Sequence, residues 1–263
     1  MLDPKDEAEL ARSVFFPRPD LPYGPEALTA WEVAFEVAPG VRSRLRVFPS
    51  YEPRTSADIL FFHGNGETAR DYDGLAPAYG GIGASLFAAE YRGYGPAAGE
   101  PSLSCFLEDA HRTLDQVLEM RAAARHSGPL LVMGRSLGSA PAIELAASRP
   151  GDLAALVVES GFARVVPLLE LCGAPARRLG VTEEWGPRNL AKMAGVTLPL
   201  LVIHAEGDEL IPISDAEALF EAAKDPEKVF LRVPHAGHND IQLAAGESYF
   251  EAIRALIQRV SPR

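Results

Sequence analysis

The chain has 263 residues, 47% hydrophobic and 23% charged, the balance of a globular protein with length enough for one large core. Its 25 basic and 36 acidic residues leave a formal charge of −11, which argues against nucleic-acid partners and against docking on anionic membranes. Two widely separated cysteines, Cys105 and Cys172, build no disulfide framework or metal spacing and fit a reducing cytoplasm, the expected location.

The opening "MLDPKDEAEL" is acidic and has no apolar core, so it does not read as a secretory signal. No apolar run approaches the length of a membrane span. Residues 1–29 are proline-rich and predict an arm on the surface, with a short helix near its start. "WEVAFEVAPGVRSRLRVFPS" alternates on both sides of Pro39-Gly40, which predicts a β-hairpin. From residue 58 onward the runs "DILFFHG", "SLFAAEYRG", "PLLVMGRS", "LAALVVESG", "LPLLVIHAEGD" and "KVFLRVPHAGH" are continuously apolar, as in strands buried on both faces. Helical patterns separate several of them, notably "CFLEDAHRTLDQVLEMRAAARH", "SAPAIELAAS" and "SDAEALFEAAK", and "ESYFEAIRALIQRV" closes the chain. The alternation predicts an α/β domain over residues 30–263, its mostly parallel sheet flanked by helices and edged by the antiparallel hairpin. Residues 162–195 break the rhythm and read as a small cap insertion over the sheet.

Ligands of open α/β sheets bind beyond the carboxyl ends of the strands, so the loops leaving strands carry the functional expectations. In "LLVMGRSLGS", Ser136 lies between Gly134 and Gly138 where a strand gives way to a helix. Such a turn strains the serine backbone, exposes its hydroxyl and aims a helix amino terminus at the same point, as a nucleophile requires. A tight turn with a solvated serine is the plain alternative. The glycine-rich "FFHGNGE" leaves backbone N–H groups free to meet a developing oxyanion. The N–H groups of Asn65 and Leu137 are the expected donors, and His63 is read as a loop-holding residue. In "VIHAEGDELIP", Asp208 follows a glycine and is the expected carboxylate partner of an imidazole, ahead of Glu206 and Glu209. In "VPHAGHND", His238 is the expected general base and His235 a structural residue; no further cluster supports a metal. In "AAEYRGYGPAAGEPS", Arg92 is expected to pair with carboxylates, and Tyr91 or Tyr94 is a weaker candidate for touching substrate.

The order Ser136, Asp208, His238 is the chain order of nucleophile, acid and base in α/β-hydrolases. On the motifs "HGNG", "EYRGYG…GEPS", "GRSLGS", "HAEGDELIP" and "HAGHND", the chain resembles the α/β-hydrolase superfamily over residues 30–260. Within it the chain is most similar to the alpha/beta-hydrolase-domain-containing 13 and 17, or Bem46-like, type. The resemblance implies a serine hydrolase without a cofactor, with Ser136, Asp208 and His238 as triad and Asn65 and Leu137 as oxyanion donors. The family's "YRGYG-x-S-x-G" becomes Gly93-Tyr94-Gly95-Pro96-Ala97-Ala98-Gly99 here. The expected substrate is a small acyl molecule, an ester or thioester. A peptidase or amidase on the same triad, and a non-catalytic binding protein on the same scaffold, are the alternatives.

Overall fold

The computed structural model describes residues 4–20, 29–52 and 56–262. The hairpin forms as its alternation predicts: β1 (Trp31–Ala38) and β2 (Val41–Phe48) pair antiparallel, with Gly40 at φ 74° in the turn. Then follow β3 (Ala57–Phe62), β4 (Ala84–Ala89), β5 (Leu130–Arg135), β6 (Ala155–Glu159), β7 (Leu200–Ala205) and β8 (Val229–Val233). Together they make one 8-stranded sheet in the order β1-β2-β4-β3-β5-β6-β7-β8. The hairpin joins it antiparallel through β2 and β4, and β3 to β8 run parallel. Every residue of β3 to β7 is buried, which accounts for their unbroken apolar runs. β8 departs from that expectation. It is an edge strand, with Val229 and Arg232 exposed.

Nine α-helices are found among the described residues: α1 (Pro4–Val14), α2 (Ala76–Gly81), α3 (Leu103–Ala123), α4 (Ser139–Ser148), α5 (Val165–Leu171), α6 (Asn189–Met193), α7 (Ile213–Ala222), α8 (Ile241–Ala245) and α9 (Glu247–Val260). The two-residue period of the strands divides the core. Leu60 and Phe62 face a layer built with α1, α3, α4 and α7, while Ile59 and Phe61 face a layer built with α2 and α9. From β3 the chain steps one way to β4, then back across β3 to β5. The loops leaving β3 and β5 therefore flank the point where the strand order reverses, the usual crevice of such sheets. No described helix is long and apolar enough to cross a membrane.

The arm differs from the surface strip its prolines suggest. The helix near its start is present as α1, but Leu10, Val14 and Phe15 are buried in the core. Their apolar spacing is helical, and α1 offers one stripe to the body of the domain. Residues 1–3 and 21–28 of the expected arm lie outside the described residues.

At the far end of the chain, Asp225 anchors α9. Burial pushes its carboxyl up, but the Arg259 guanidinium and the N–H groups of Glu227 and Leu200 outweigh that and hold it below the usual carboxylate range. A carboxyl held low stabilises the fold above its unfolded pKa and stops doing so as pH falls through its folded one. Asp225→Asn is therefore expected to cost about 2 kcal/mol at neutral pH. Chemical denaturation at descending pH should show wild type and variant converging below the carboxylate range.

Candidate active site

The turn after β5 is as tight as its glycines suggest. Ser136 sits at φ 52°, a left-handed conformation that a residue with a side chain rarely adopts. A side chain at Gly134 would run into the carbonyl of Gly138, and one at Gly138 would run into the carbonyl of Phe62. The chain thus turns directly from strand into a 3-10 turn over Ser136–Gly138 and then into α4, with the serine at the apex. The first N–H groups of this helical run have no acceptor within it.

The loops after β7 and β8 deliver the other two groups. His238 Nε2 lies 2.9 Å from Ser136 Oγ, and His238 Nδ1 lies 2.8 Å from Asp208 Oδ2. The other oxygen of Asp208 accepts the N–H groups of Leu210 and Ile211 at 2.9 and 2.8 Å. Burial raises the Asp208 carboxyl, but His238 and these two N–H groups prevail and keep it below its ordinary value. An ionised Asp208 holds the proton of His238 on Nδ1 and leaves the Nε2 lone pair toward the serine hydroxyl. His204 lies behind, with Nε2 2.9 Å from the Ile211 carbonyl, and burial lowers its pKa so that it stays neutral beside Asp208. Glu209 accepts the backbone N–H of His238, while Glu206 and His235 are exposed.

The loop after β3 is held by His63, as expected. Its ring nitrogens face the Gly64 carbonyl at 2.8 Å and the Glu90 carboxylate at 3.3 Å, and the Tyr91 hydroxyl donates to the His63 carbonyl. Burial opposes charge on this ring, yet Glu90 outweighs it and raises the pKa. Tyr94 is fully buried and donates to Asn65 Oδ1, so neither tyrosine is free to meet substrate. Arg92 forms a two-pronged pair with Asp109 on α3.

Sequence reading missed the charge centre around Arg135. Its guanidinium donates to Glu159 at 3.2 Å, to the His238 carbonyl at 3.0 Å and to Asn239 at 3.1 Å, and it pairs with Glu67. Glu67 in turn accepts the Gly64 N–H, and Tyr249 of α9 donates to Glu159. One cation thereby ties the serine turn, the β3 loop and the histidine loop together. A signal was available in "GRS" and "VVES": a charge closing a strand buried on both faces requires a partner.

Ser136, His238, Asn65 and Leu137 all line one cavity of about 420 Å³. Its remaining walls are Val14 and Phe16 of the arm, Leu168, Leu171 and Cys172 of the 162–195 segment, Leu210 and Ile211, and the polar pair Arg135 and Asn239. α5 has two faces: Val165 and Leu169 enter the core, while Leu168 and Leu171 turn to the cavity. Glu183 accepts the first N–H groups of α5, and Arg164 pairs with Asp215 of α7, fixing the segment over the sheet. A second cavity of about 380 Å³, beside Trp31 and Asp58 at the other end of the sheet, contains none of these groups.

Sheet order, strained serine turn and flanking helices define an α/β-hydrolase. The profile of the family described as serine aminopeptidase, S33 matches residues 53–185. An uncharacterized protein of Mycobacterium tuberculosis is 31% identical over 94% of this chain and 86% of its own. Protein bem46 of Schizosaccharomyces pombe is 28% identical over 78% of this chain and 68% of its own. The chain belongs to this hydrolase family and is of its Bem46-like type. Among solved structures, the Pyrococcus furiosus esterase Pf2001 superposes with a TM-score of 0.75 at 15% identity, covering 93% of this chain and 98% of that one, a likeness of fold.

Proposed function

We propose that the protein is a serine hydrolase that cleaves small carboxylic esters or thioesters through an acyl-enzyme, with Ser136 as nucleophile, His238 as general base and Asp208 as its orienting carboxylate. The observation that carries the reading is the continuous chain of contacts from Ser136 Oγ through both ring nitrogens of His238 to Asp208. A serine hydroxyl is barely ionised at neutral pH, so it needs a base within hydrogen-bond reach. As Ser136 attacks the acyl carbon, its proton passes to His238 Nε2, and Asp208 stabilises the imidazolium. The carbonyl oxygen becomes an oxyanion facing the N–H groups of Asn65 and Leu137. His238 returns the proton to the departing alcohol or thiol. Water, deprotonated by the same ring, then attacks the acyl-enzyme, and Ser136 leaves with the proton.

The family's description makes an aminopeptidase the second reading. Recognition of a free α-ammonium calls for a carboxylate in the pocket. None of the residues found lining the cavity is acidic, and its one cation, Arg135, is committed to Glu67 and Glu159. This favours a neutral, apolar acyl substrate. We further read residues 30–263 as one domain with 162–195 as its cap, working in the cytoplasm, where its two free cysteines stay reduced. The test is to treat wild type and Ser136→Ala with an active-site phosphonate, then assay p-nitrophenyl esters beside aminoacyl p-nitroanilides. Labelling of wild type alone and turnover of the esters are expected. Labelling that survives Ser136→Ala, or preferred turnover of the anilides, would overturn the reading.

A further inference from the structure

The arm reaches the site by an unusual route. The side chain of Asn65, whose backbone N–H is proposed above as an oxyanion donor, is engaged on every side. Its Nδ2 donates to the Val14 carbonyl, and its Oδ1 accepts the Phe16 N–H at 3.0 Å and the Tyr94 hydroxyl at 2.7 Å. Arg18 extends the attachment, donating to the Gly66 carbonyl and pairing with Asp71, and its own carbonyl accepts the Gly95 N–H. These bonds hold the backbone of residues 14–18 against the β3 loop. They do nothing to bury the Phe16 side chain, which is 54% exposed and lines the cavity. A large aromatic ring fixed at a cavity mouth gains little for folding and presents an apolar surface to whatever enters. Val14, from the same segment, also bounds a narrow apolar crevice running inward between Leu137, Leu168 and Phe162.

We propose that the amino-terminal arm is a wall of the acyl-binding site, and that Phe16 is a specificity-determining residue for acyl chains long enough to leave the immediate surroundings of Ser136. The inference rests on the ester reading above. During the reaction the leaving group must lie against His238 Nε2, which hands it a proton. The acyl chain takes the apolar walls supplied by other segments, Val14 and Phe16 on the arm and Leu168 and Leu171 on α5. The proposal requires that an acetyl group stop short of Phe16 and that an octanoyl chain extend along the shared cavity wall as far as its ring.

The full chain and its Phe16→Ala and Phe16→Leu variants are assayed on p-nitrophenyl acetate, p-nitrophenyl octanoate and octyl acetate. For Phe16→Ala, kcat/KM on the octanoate is expected to fall about tenfold, the loss when roughly two methylenes lose apolar cover. The two acetates should be unchanged, and Phe16→Leu should keep most of the octanoate activity. Equal changes on all three esters, or none, would overturn the proposal, as would a loss confined to octyl acetate, which would put the ring on the leaving-group side. If wild type turns over no ester, the ester reading fails and this inference with it. Retained turnover with an unchanged octanoate-to-acetate ratio overturns the wall alone.

Discussion

Ser136→Ala is expected to lower kcat for ester hydrolysis on the order of 10⁶-fold, and His238→Ala by a similar factor. The double variant should lose no more than either single change, because serine and base act as one unit in the same step. Asp208→Asn is expected to cost about 10⁴-fold, since an amide at that position favours the wrong imidazole tautomer while leaving the ring in place. Steady-state kinetics with one p-nitrophenyl ester, with folding checked by circular dichroism, measures all four. A strictly additive double variant would count against the hydrogen-bonded chain from Ser136 Oγ to Asp208 Oδ2 as the catalytic unit.

Arg135→Met is expected to lose both stability and activity. Arg135 is 8% exposed and Glu159 is fully buried, so the change strands a buried carboxylate. Breaking a buried pair by removing one partner costs about 3–5 kcal/mol, which for a chain of this size lowers the melting temperature by roughly 10 °C. Burial already pushes the Glu159 carboxyl up, with the Arg135 guanidinium opposing. Without that cation the folded pKa rises further. A carboxyl raised in the folded state loses stability as pH increases through that value, so the deficit should be smaller in mild acid than at neutral pH. Arg135→Met combined with Glu159→Gln removes the stranded charge and should recover part of the melting temperature. It should not recover kcat, because the hold on the His238 carbonyl and on Asn239 is still missing. Unchanged melting of the single variant would mean that the charge centre contributes nothing to the fold.

The parts legible in the sequence are those whose physics is local. Strands β3 to β7 were readable because burial on both faces demands continuous apolar residues, and the serine turn because no residue but glycine fits at 134 and 138. The edge position of β8 was not, because "KVFLRV" is equally apolar whether one neighbour lies beside it or two. Partnerships across long sequence gaps were hidden as well. Arg135 finds Glu67 at 68 residues' separation and Asn239 at 104, and nothing local marks either. The dual nature of α5 was also out of reach, since Val, Pro and Leu fill all but one of its seven positions and the single Glu170 does not say which leucines meet the core. The arm misled for a related reason: prolines 17 and 19 mark an irregular path, and an irregular path can still be stitched to a loop by one asparagine.

Tyr249 belongs to α9, yet its hydroxyl donates at 2.6 Å to Glu159 in the centre of the molecule. During synthesis, Ser136, Asp208 and His238 are therefore all made before the residue that completes the polar scaffold beneath them. A nascent chain held at residue 245 contains all three side chains on an unfinished foundation, and it gains full support only with the final turns of helix.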